Sequence, residues 1–409
     1  MSQRPTHVIV GASLAGAKAA ETLRANGFDG RVVLVGAEQF RPYERPPLSK
    51  QLLRGESAVE DAFVHDERFY ANNDIELLLD TRVDELDVHA QTVTVNGRES
   101  IRYDRLLLAT GARPRRLNIP GAQLEGIQYL RDLHDNNALR AALQTATRVV
   151  VVGAGWIGSE VAASIRQLGR EVAIVDPAPV PLAAVLGPEV GAVYRDLHAE
   201  HGVELHLGTG VESFVGERAV SGVRTSAGTV IPADLIVVGV GAEPRVELAR
   251  RAGLRIDGGI ATDEFLETSA PGVFAAGDVA AAWHPRLGQR VRVEHWANAQ
   301  HQGVAAGMNM HGAALPYDRV PYFYSDQYDL GMEYSGFAPR WDRVVFRGDP
   351  ATREFIAFYV ADGRVVAALN ANVWDVVEPL QTLIAARRPV DDARLADADV
   401  ALDALPAVA

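Results

Sequence analysis

The residues best placed to do chemistry form one run. Val149, Val150, Val151 and Val152 lead into Gly153, Gly155 and Gly158, spaced as G-x-G-x-x-G, and Glu160 follows. Four β-branched residues predict a buried strand, and the glycines predict a tight turn into a helix. Gly153 makes the turn, Gly155 lets a pyrophosphate approach the backbone, and Gly158 lets the helix pack close to the strand. Ile157 lies between them. The helix N-terminus offers free N–H groups and the positive end of its dipole to phosphates. A second apolar strand, from Val172 to Val175, ends in Asp176. That acid lies about twenty residues on, where a carboxylate accepts from a ribose hydroxyl. The pattern predicts a dinucleotide site. No Arg directly follows Asp176, so it predicts NADH over NADPH, because an acid repels a 2′-phosphate.

The elements around this run repeat its design. At the start of the chain a strand through Val10 meets Gly11, Ser13, Leu14, Ala15 and Gly16, a helix runs through Leu23, and a strand from Arg31 to Val35 leads to Glu38. Ser13 takes the place of the middle glycine and is small enough for close approach. Between Arg41 and Lys50, Pro42, Pro46 and Pro47 forbid a regular helix or a central strand. This stretch predicts a rigid cationic loop (Arg41, Arg45, Lys50) that could wall an anionic ligand, running into a helix after Pro47. Lys50 and Lys18 are the only lysines among 40 basic residues, which marks each for attention. Further apolar strands stop at Ala109, Thr110 and Gly111, at Gly239 and Gly241, and at Gly277 and Asp278. Glu294, His295 and Trp296 open a small-residue helix that runs to Met310, and another helix is predicted from Glu189 through Glu200. From about Leu315 aromatics cluster (Tyr317, Tyr322, Phe323, Tyr324, Tyr328) and alternating strands precede a helix near 375–386. That predicts a separate α+β unit with a loosely held final dozen residues.

Composition narrows the function. At 409 residues the chain predicts two or three domains. A net charge of −13 argues against a nucleic-acid partner. No run reaches the length of a membrane span, and no apolar leader precedes the first strand, so a cytoplasmic protein is expected. There is no cysteine. Disulfide, thiolate and Cys-ligated metal chemistry are therefore excluded, and redox chemistry must rest on a bound organic cofactor or a separate protein.

The order of motifs is specific: G-x-S-x-x-G, Pro46-Pro47-Leu48-Ser49-Lys50, Ala109-Thr110-Gly111, G-x-G-x-x-G-x-Glu, Ala275-Ala276-Gly277-Asp278, Glu294-His295-Trp296-Ala297-Asn298 and Ser325-Asp326-Gln327. Over essentially its whole length the chain resembles the FAD-dependent NADH–ferredoxin reductases of oxygenase systems, the putidaredoxin reductase and biphenyl-dioxygenase reductase type. The resemblance implies an α/β fold, with two Rossmann-like dinucleotide-binding domains in the glutathione-reductase-like arrangement plus a C-terminal α+β domain. The FAD-binding domain would span 1–112 and 245–314, the NADH-binding domain 113–244, and the C-terminal reductase domain 315–409.

It also implies roles. Gly11, Ser13, Leu14, Ala15 and Gly16 would lie along the FAD pyrophosphate, with Glu38 on the adenosine ribose. Arg45 and Lys50 would line the pyrophosphate and flavin. Val83 would meet the adenine through its backbone. Ala109, Thr110, Gly111 and Arg131 would add contacts, Asp278 would bond the ribityl chain, and His295 and Trp296 would face the ring. Gly155, Ile157, Gly158 and Asp176 would hold NADH, with Gly241 and Glu294 near the nicotinamide. Lys50 and Glu160 are the expected catalytic pair: a cation that favours the reduced ring, and its counter-charge. Tyr324 stands where many members carry Trp, which puts that ring's role in question.

Electrons would leave to a [2Fe–2S] ferredoxin or rubredoxin and serve, indirectly, a cytochrome P450 or a ring-hydroxylating dioxygenase. Arg286, Arg290, Arg340 and Arg343 are candidates for docking such an acidic partner. No nucleic acid or membrane is expected, and the chain would act as a monomer or weak dimer. The alternatives are an NADH oxidase or quinone reductase, and an NADH-responsive interaction protein of the apoptosis-inducing-factor kind.

Overall fold

The computed structural model describes residues 4–405. Its contacts divide the chain into two units. The first holds the chain through Glu44, Val59–Arg113 and Glu243–Pro321. The second holds Arg45–Ala58, Pro114–Ala242 and the chain from Tyr322 onward.

The first unit is built on a five-stranded parallel sheet in the order Val273–Ala275, Arg105–Leu108, Thr6–Val10, Arg31–Val35, Ile75–Leu78. Its strands read as unbroken apolar runs because both faces are covered, and Val8, Ile9, Leu106 and Leu107 are fully buried. The helices Leu14–Ala25 and Trp296–Met310 pack closely on one another. Small residues allow this: a Cβ on Gly303 would stand 2.4 Å from the Ala15 carbonyl oxygen, and one on Gly307 2.8 Å from that of Ala19. A three-stranded antiparallel sheet, Val83–Asp87, Thr92–Val95 and Glu99–Arg102, covers another part of the core.

The second unit repeats the plan. Its parallel sheet runs Glu204–Leu207, Glu171–Asp176, Arg148–Val152, Leu235–Val238, Ile127–Gln128. The helix Trp156–Gln167 follows the glycine turn. From Tyr322 the chain forms a five-stranded antiparallel sheet in the order Tyr322–Gln327, Leu330–Gly336, Arg364–Ala371, Glu354–Ala361, Arg343–Asp349, followed by the helix Val377–Ala386. The α/β class with two dinucleotide-type sheets and an α+β C-terminal segment is thus the one the sequence predicts.

Two details differ from the sequence reading. The helix expected from Glu189 begins earlier, at Ala183, but is broken at Gly187 (φ 73°, ψ 178°) before Pro188. The break is held by the C-terminal segment: the Tyr359 hydroxyl donates to the Leu186 carbonyl at 3.0 Å, and the Trp341 ring leaves no room for a Cβ on Gly187. The chain end through Leu405 is also not loose. Arg347, itself buried, donates to the carbonyls of Leu395, Val400 and Arg394, and Leu405 is buried. Residues 406–409 of the expected loose tail lie outside the described residues. Among the described residues no helix is long and apolar enough to cross a membrane.

Candidate dinucleotide sites and a buried charge pair

In the first unit the strand Thr6–Val10 ends at Gly11 (φ 123°), whose missing Cβ would fall 2.0 Å from the Ala109 carbonyl oxygen. Gly16 is equally constrained, by the carbonyl of Gly11 at 2.0 Å. Ser13 is the N-cap of the helix, extended (φ −121°, ψ −163°), and its side chain makes no capping bond. Leu14 and Ala15 are buried behind it. Glu38 stands beyond the second strand and accepts from the Tyr43 hydroxyl. Val83 opens the antiparallel sheet. Ala109 and Thr110 follow the strand Arg105–Leu108, the Thr110 hydroxyl donates to the Arg245 carbonyl at 2.9 Å, and Gly111 has φ 67°. Asp278 lies in a single helical turn, Gly277–Val279, whose first N–H is taken by Gln302 at 2.9 Å. His295 caps the helix that Trp296 begins. Desolvation pushes the His295 imidazole down to about 4, against the pull of the Asp278 carboxylate. His295 is therefore neutral at pH 7, with one ring N–H to donate and one ring nitrogen to accept. Glu294 pairs with Arg292.

In the second unit Gly153 (φ 102°) would place a Cβ 2.4 Å from the Gly239 carbonyl oxygen, and Gly158 one 2.0 Å from that of Gly153. Gly155 and Gly241 face open space, with nothing within 4 Å of an added Cβ. Ile157 is 46% exposed, unusual for its type at a helix start. Asp176 already has partners: its oxygens accept from the Ala154 N–H at 2.7 Å and the Ala178 N–H at 2.7 Å. These bonds tie the acid to the glycine turn and fix its direction. Each oxygen keeps a lone pair for a further donor.

The second unit also gathers Lys50 and Glu160. The proline-rich loop forms a 3₁₀ turn, Pro46–Ser49, and a short helix, Gln51–Arg54. Its carbonyls are held by side chains: Asn136 donates to Leu48 at 2.8 Å and the Ser164 hydroxyl to Ser49 at 2.6 Å. Arg45 donates to the Arg131 carbonyl at 2.5 Å, which joins two more of the expected site residues. Lys50 and Glu160 are 6% and 5% exposed, and Lys50 Nζ lies 2.8 Å from Glu160 Oε2. Ser49 Oγ donates to the same oxygen at 2.5 Å, and Ser325 Oγ donates to Oε1 at 2.7 Å. The Tyr324 ring centroid is 5.8 Å from Lys50 Nζ, at the outer range of a cation–π contact. Ser49 and Ser325 received no role from the sequence, although both stand in motifs it singled out. The other lysine, Lys18, pairs with Glu21 one turn along its helix at 2.9 Å.

Each of the four arginines expected to dock a partner has a carboxylate beside it. Arg286 pairs with Asp318, Arg290 with Asp257, Arg340 with Asp362, and Arg343 with Asp392 through two bonds. Each charge is answered by a carboxylate distant in sequence. Arg286 and Arg290 also belong to the first unit, and Arg340 and Arg343 to the second.

The residues present fit a dinucleotide in each unit. Gly11, Gly16, Gly153 and Gly158 have no room for a side chain because the protein's own backbone fills it, whereas the Gly155 and Gly241 backbones are bare toward space that a phosphate or ring can enter. A model described as pyridine nucleotide-disulphide oxidoreductase matches residues 5–303. The chain belongs to that family. A second model, the reductase C-terminal one, matches residues 322–406. Among this family's members, a ferredoxin–NAD(+) reductase component of the anthranilate 1,2-dioxygenase system of Burkholderia cepacia is 41% identical, covering 97% of this chain and 98% of that protein. Putidaredoxin reductase of Pseudomonas putida is 36% identical, covering 100% and 98%. The ferredoxin reductase of the CYP199A2 system from Rhodopseudomonas palustris superposes with a TM-score of 0.94 at 36% identity, covering 97% and 98%. A putidaredoxin reductase in covalent complex with putidaredoxin gives 0.93 at 36%, covering 98% and 97%. The disulphide in the family's description has no counterpart here, because the chain has no cysteine.

Proposed function

We propose that this protein is an NADH-dependent flavoprotein reductase that takes a hydride onto FAD. It passes single electrons to a [2Fe–2S] ferredoxin, or to a rubredoxin, that serves a cytochrome P450 or a ring-hydroxylating dioxygenase. The observation that carries this reading is the presence of two glycine cradles, one in each unit, in a chain without cysteine. A thiol-free member of the family has no internal dithiol to receive electrons, so they leave to an external acceptor. The relatives named as ferredoxin reductases support that acceptor. A cytoplasmic site of action belongs to the same reading.

FAD, when bound, accepts a hydride in one step and releases electrons singly. The chain's residues hold and tune it. Gly11, Ser13, Leu14, Ala15 and Gly16 present helix N–H groups to its phosphates, Glu38 accepts from its ribose, and Ala109, Thr110, Gly111, Val83, Arg131, Arg45, Asp278, His295 and Trp296 complete its surroundings. The FAD-binding domain is 1–112 with 245–314, the NADH-binding domain 113–244, and the reductase domain 315–409. Gly155, Ile157, Gly158, Asp176, Gly241 and Glu294 hold NADH, and Asp176 selects it over NADPH. Lys50 supplies the positive charge that favours the reduced cofactor by Coulomb attraction, and Glu160 balances that charge while the cofactor is oxidised.

The test is NADH-dependent reduction of cytochrome c with and without an added [2Fe–2S] ferredoxin. Turnover should depend on the ferredoxin. Equal turnover without it would replace this reading with an NADH oxidase or quinone reductase. Lys50→Met should slow flavin reduction by NADH and lower the flavin potential.

A further inference from the structure

Glu160 is held by two segments of the chain that are far from it, and from each other, in sequence. Ser49 and Lys50 reach Oε2 from the proline-rich loop, and Ser325 reaches Oε1 from the strand Tyr322–Gln327. Among the described residues, Oε1 has no other donor. The terminal torsion of a glutamate is soft and roughly two-fold, so a carboxylate held at one oxygen alone can swing. Held at both, it is fixed.

The strand is well built for this. Phe323 and Ser325 point to the same face, about 6.7 Å apart, and Trp156 and Glu160 lie about 6 Å apart along their helix. Phe323 meets the Trp156 ring at 4.9 Å between centroids, and Ser325 meets Glu160. The strand is therefore matched to the helix at two successive points. It is also locked to its neighbour in register, with Ser325 opposite Met332. The opposite face of the same strand presents Tyr324, whose ring approaches Lys50. One strand thus addresses both members of the ion pair.

We infer that Ser325 is a positioning residue for the Lys50–Glu160 pair: the C-terminal domain completes this charge site through one hydroxyl that fixes the second oxygen of the glutamate. The inference rests on the reading of that pair given above. Ser49 is its counterpart on the other oxygen.

The experiment compares Ser325→Ala, Ser325→Thr, Glu160→Gln and Ser325→Ala combined with Glu160→Gln, all purified with FAD. In stopped-flow reduction by NADH, Ser325→Ala should lower the limiting rate by between about ten- and a hundredfold, the usual cost of a misplaced group, with half-saturation by NADH little changed. Ser325→Thr keeps the hydroxyl and should restore the rate. The flavin midpoint potential should move in the same direction in Ser325→Ala as in Glu160→Gln. In the Glu160→Gln background Ser325→Ala should add nothing to either change. A further readout needs no turnover. The chain has two lysines, so selective isotope labelling of lysine gives two side-chain signals by NMR. Ser325→Ala should move that of Lys50 and leave that of Lys18 in place.

A wild-type rate and an unmoved Lys50 signal in Ser325→Ala, beside a slowed Glu160→Gln, would overturn the inference. So would an equal loss in both backgrounds, which marks a purely structural serine. If Glu160→Gln and Lys50→Met are both reduced at the wild-type rate, the charge-pair reading fails and takes this one with it. Absence of any reduction of wild-type flavin by NADH would instead defeat the proposed function.

Discussion

The two glycine turns can be laid side by side. Gly11 matches Gly153, and Gly16 matches Gly158. All four are closed in by the protein's own carbonyls, with Gly11 and Gly153 also at positive φ. The middle positions differ. Gly155 (φ −76°) faces open space, while Ser13 (φ −121°) carries a hydroxyl that caps nothing. The outer glycines are therefore demands of the fold, and the middle one, on the proposed function, is a demand of the ligand. A fold demand tolerates no side chain. A ligand demand tolerates a small one if the ligand leaves room, which is how Ser13 can stand in a working site. The acids differ too. Glu38 is held by a tyrosine hydroxyl, Asp176 by two backbone N–H groups.

The largest losses are expected at the outer glycines. Gly11→Ala and Gly153→Ala should each cost about 3 kcal/mol or more, through a backbone clash at a strained φ. Thermal unfolding should show it, with FAD lost from the first variant. Gly155→Ala should leave the unfolding midpoint unchanged and raise the KM for NADH. An intact Gly11→Ala would show that the turn is not set by packing.

Acid should weaken both units. Burial pushes His7 down to about 4 in the first unit and His198 to about 4 in the second. His7 stacks on Phe28 at 3.9 Å, and His198 shares a bond with the Gln327 side chain at 3.0 Å. The unfolded chain takes up these protons at the ordinary value of 6.5 and the folded one does not. The stability tied to each neutral ring is thus complete above pH 6.5 and is lost as pH falls toward 4. It amounts to about 3 kcal/mol for each by that point. Denaturant midpoints measured from pH 7.5 to 4 should fall in wild type and fall less in His198→Gln. Equal slopes would remove His198 from the account.

A smaller effect concerns the acids. Asp176→Asn keeps acceptor capacity beside the turn but removes the charge, so the preference for NADH over NADPH in kcat/KM should drop by about tenfold, the equivalent of about 1.4 kcal/mol. An unchanged ratio would place nucleotide selection elsewhere. The smallest effect belongs to Ser13→Gly. It should retain FAD and lose no more than about 1 kcal/mol, from the added freedom of the unfolded chain. Loss of the flavin would show that the hydroxyl is needed by the ligand.

Local signals made the two dinucleotide-type sheets legible. Runs such as Val149–Val152 carry their own strand signal, and G-x-G-x-x-G carries the turn. The partner of Glu160 was also legible through its motif. What joins the proline-rich loop to the second unit was not. Asn136 and Ser164 donate to the main-chain carbonyls of Leu48 and Ser49, and a carbonyl looks the same in every residue. The ion pairs of the arginines were hidden for a related reason. Arg343 reads as a free cation until Asp392, far along the chain, is brought beside it by folding. The Ala- and Asp-rich tail around Leu405 reads as loosely held, yet the buried Arg347 collects carbonyls there. Long-range pairing to backbone has no sequence pattern of its own.

The strand order carries a consequence for how the protein is made. The edge strand of the first unit's sheet, Val273–Ala275, pairs with Arg105–Leu108, although the strands of the second unit's parallel sheet all lie between them in the chain. A ribosome therefore delivers the second sheet complete, at Val238, while the first is still missing its edge. At ordinary synthesis rates the missing strand follows roughly two to seven seconds later. The second sheet can form while the first still lacks its edge. Ser325 emerges later still, so the last bond to Glu160 closes only after both sheets exist.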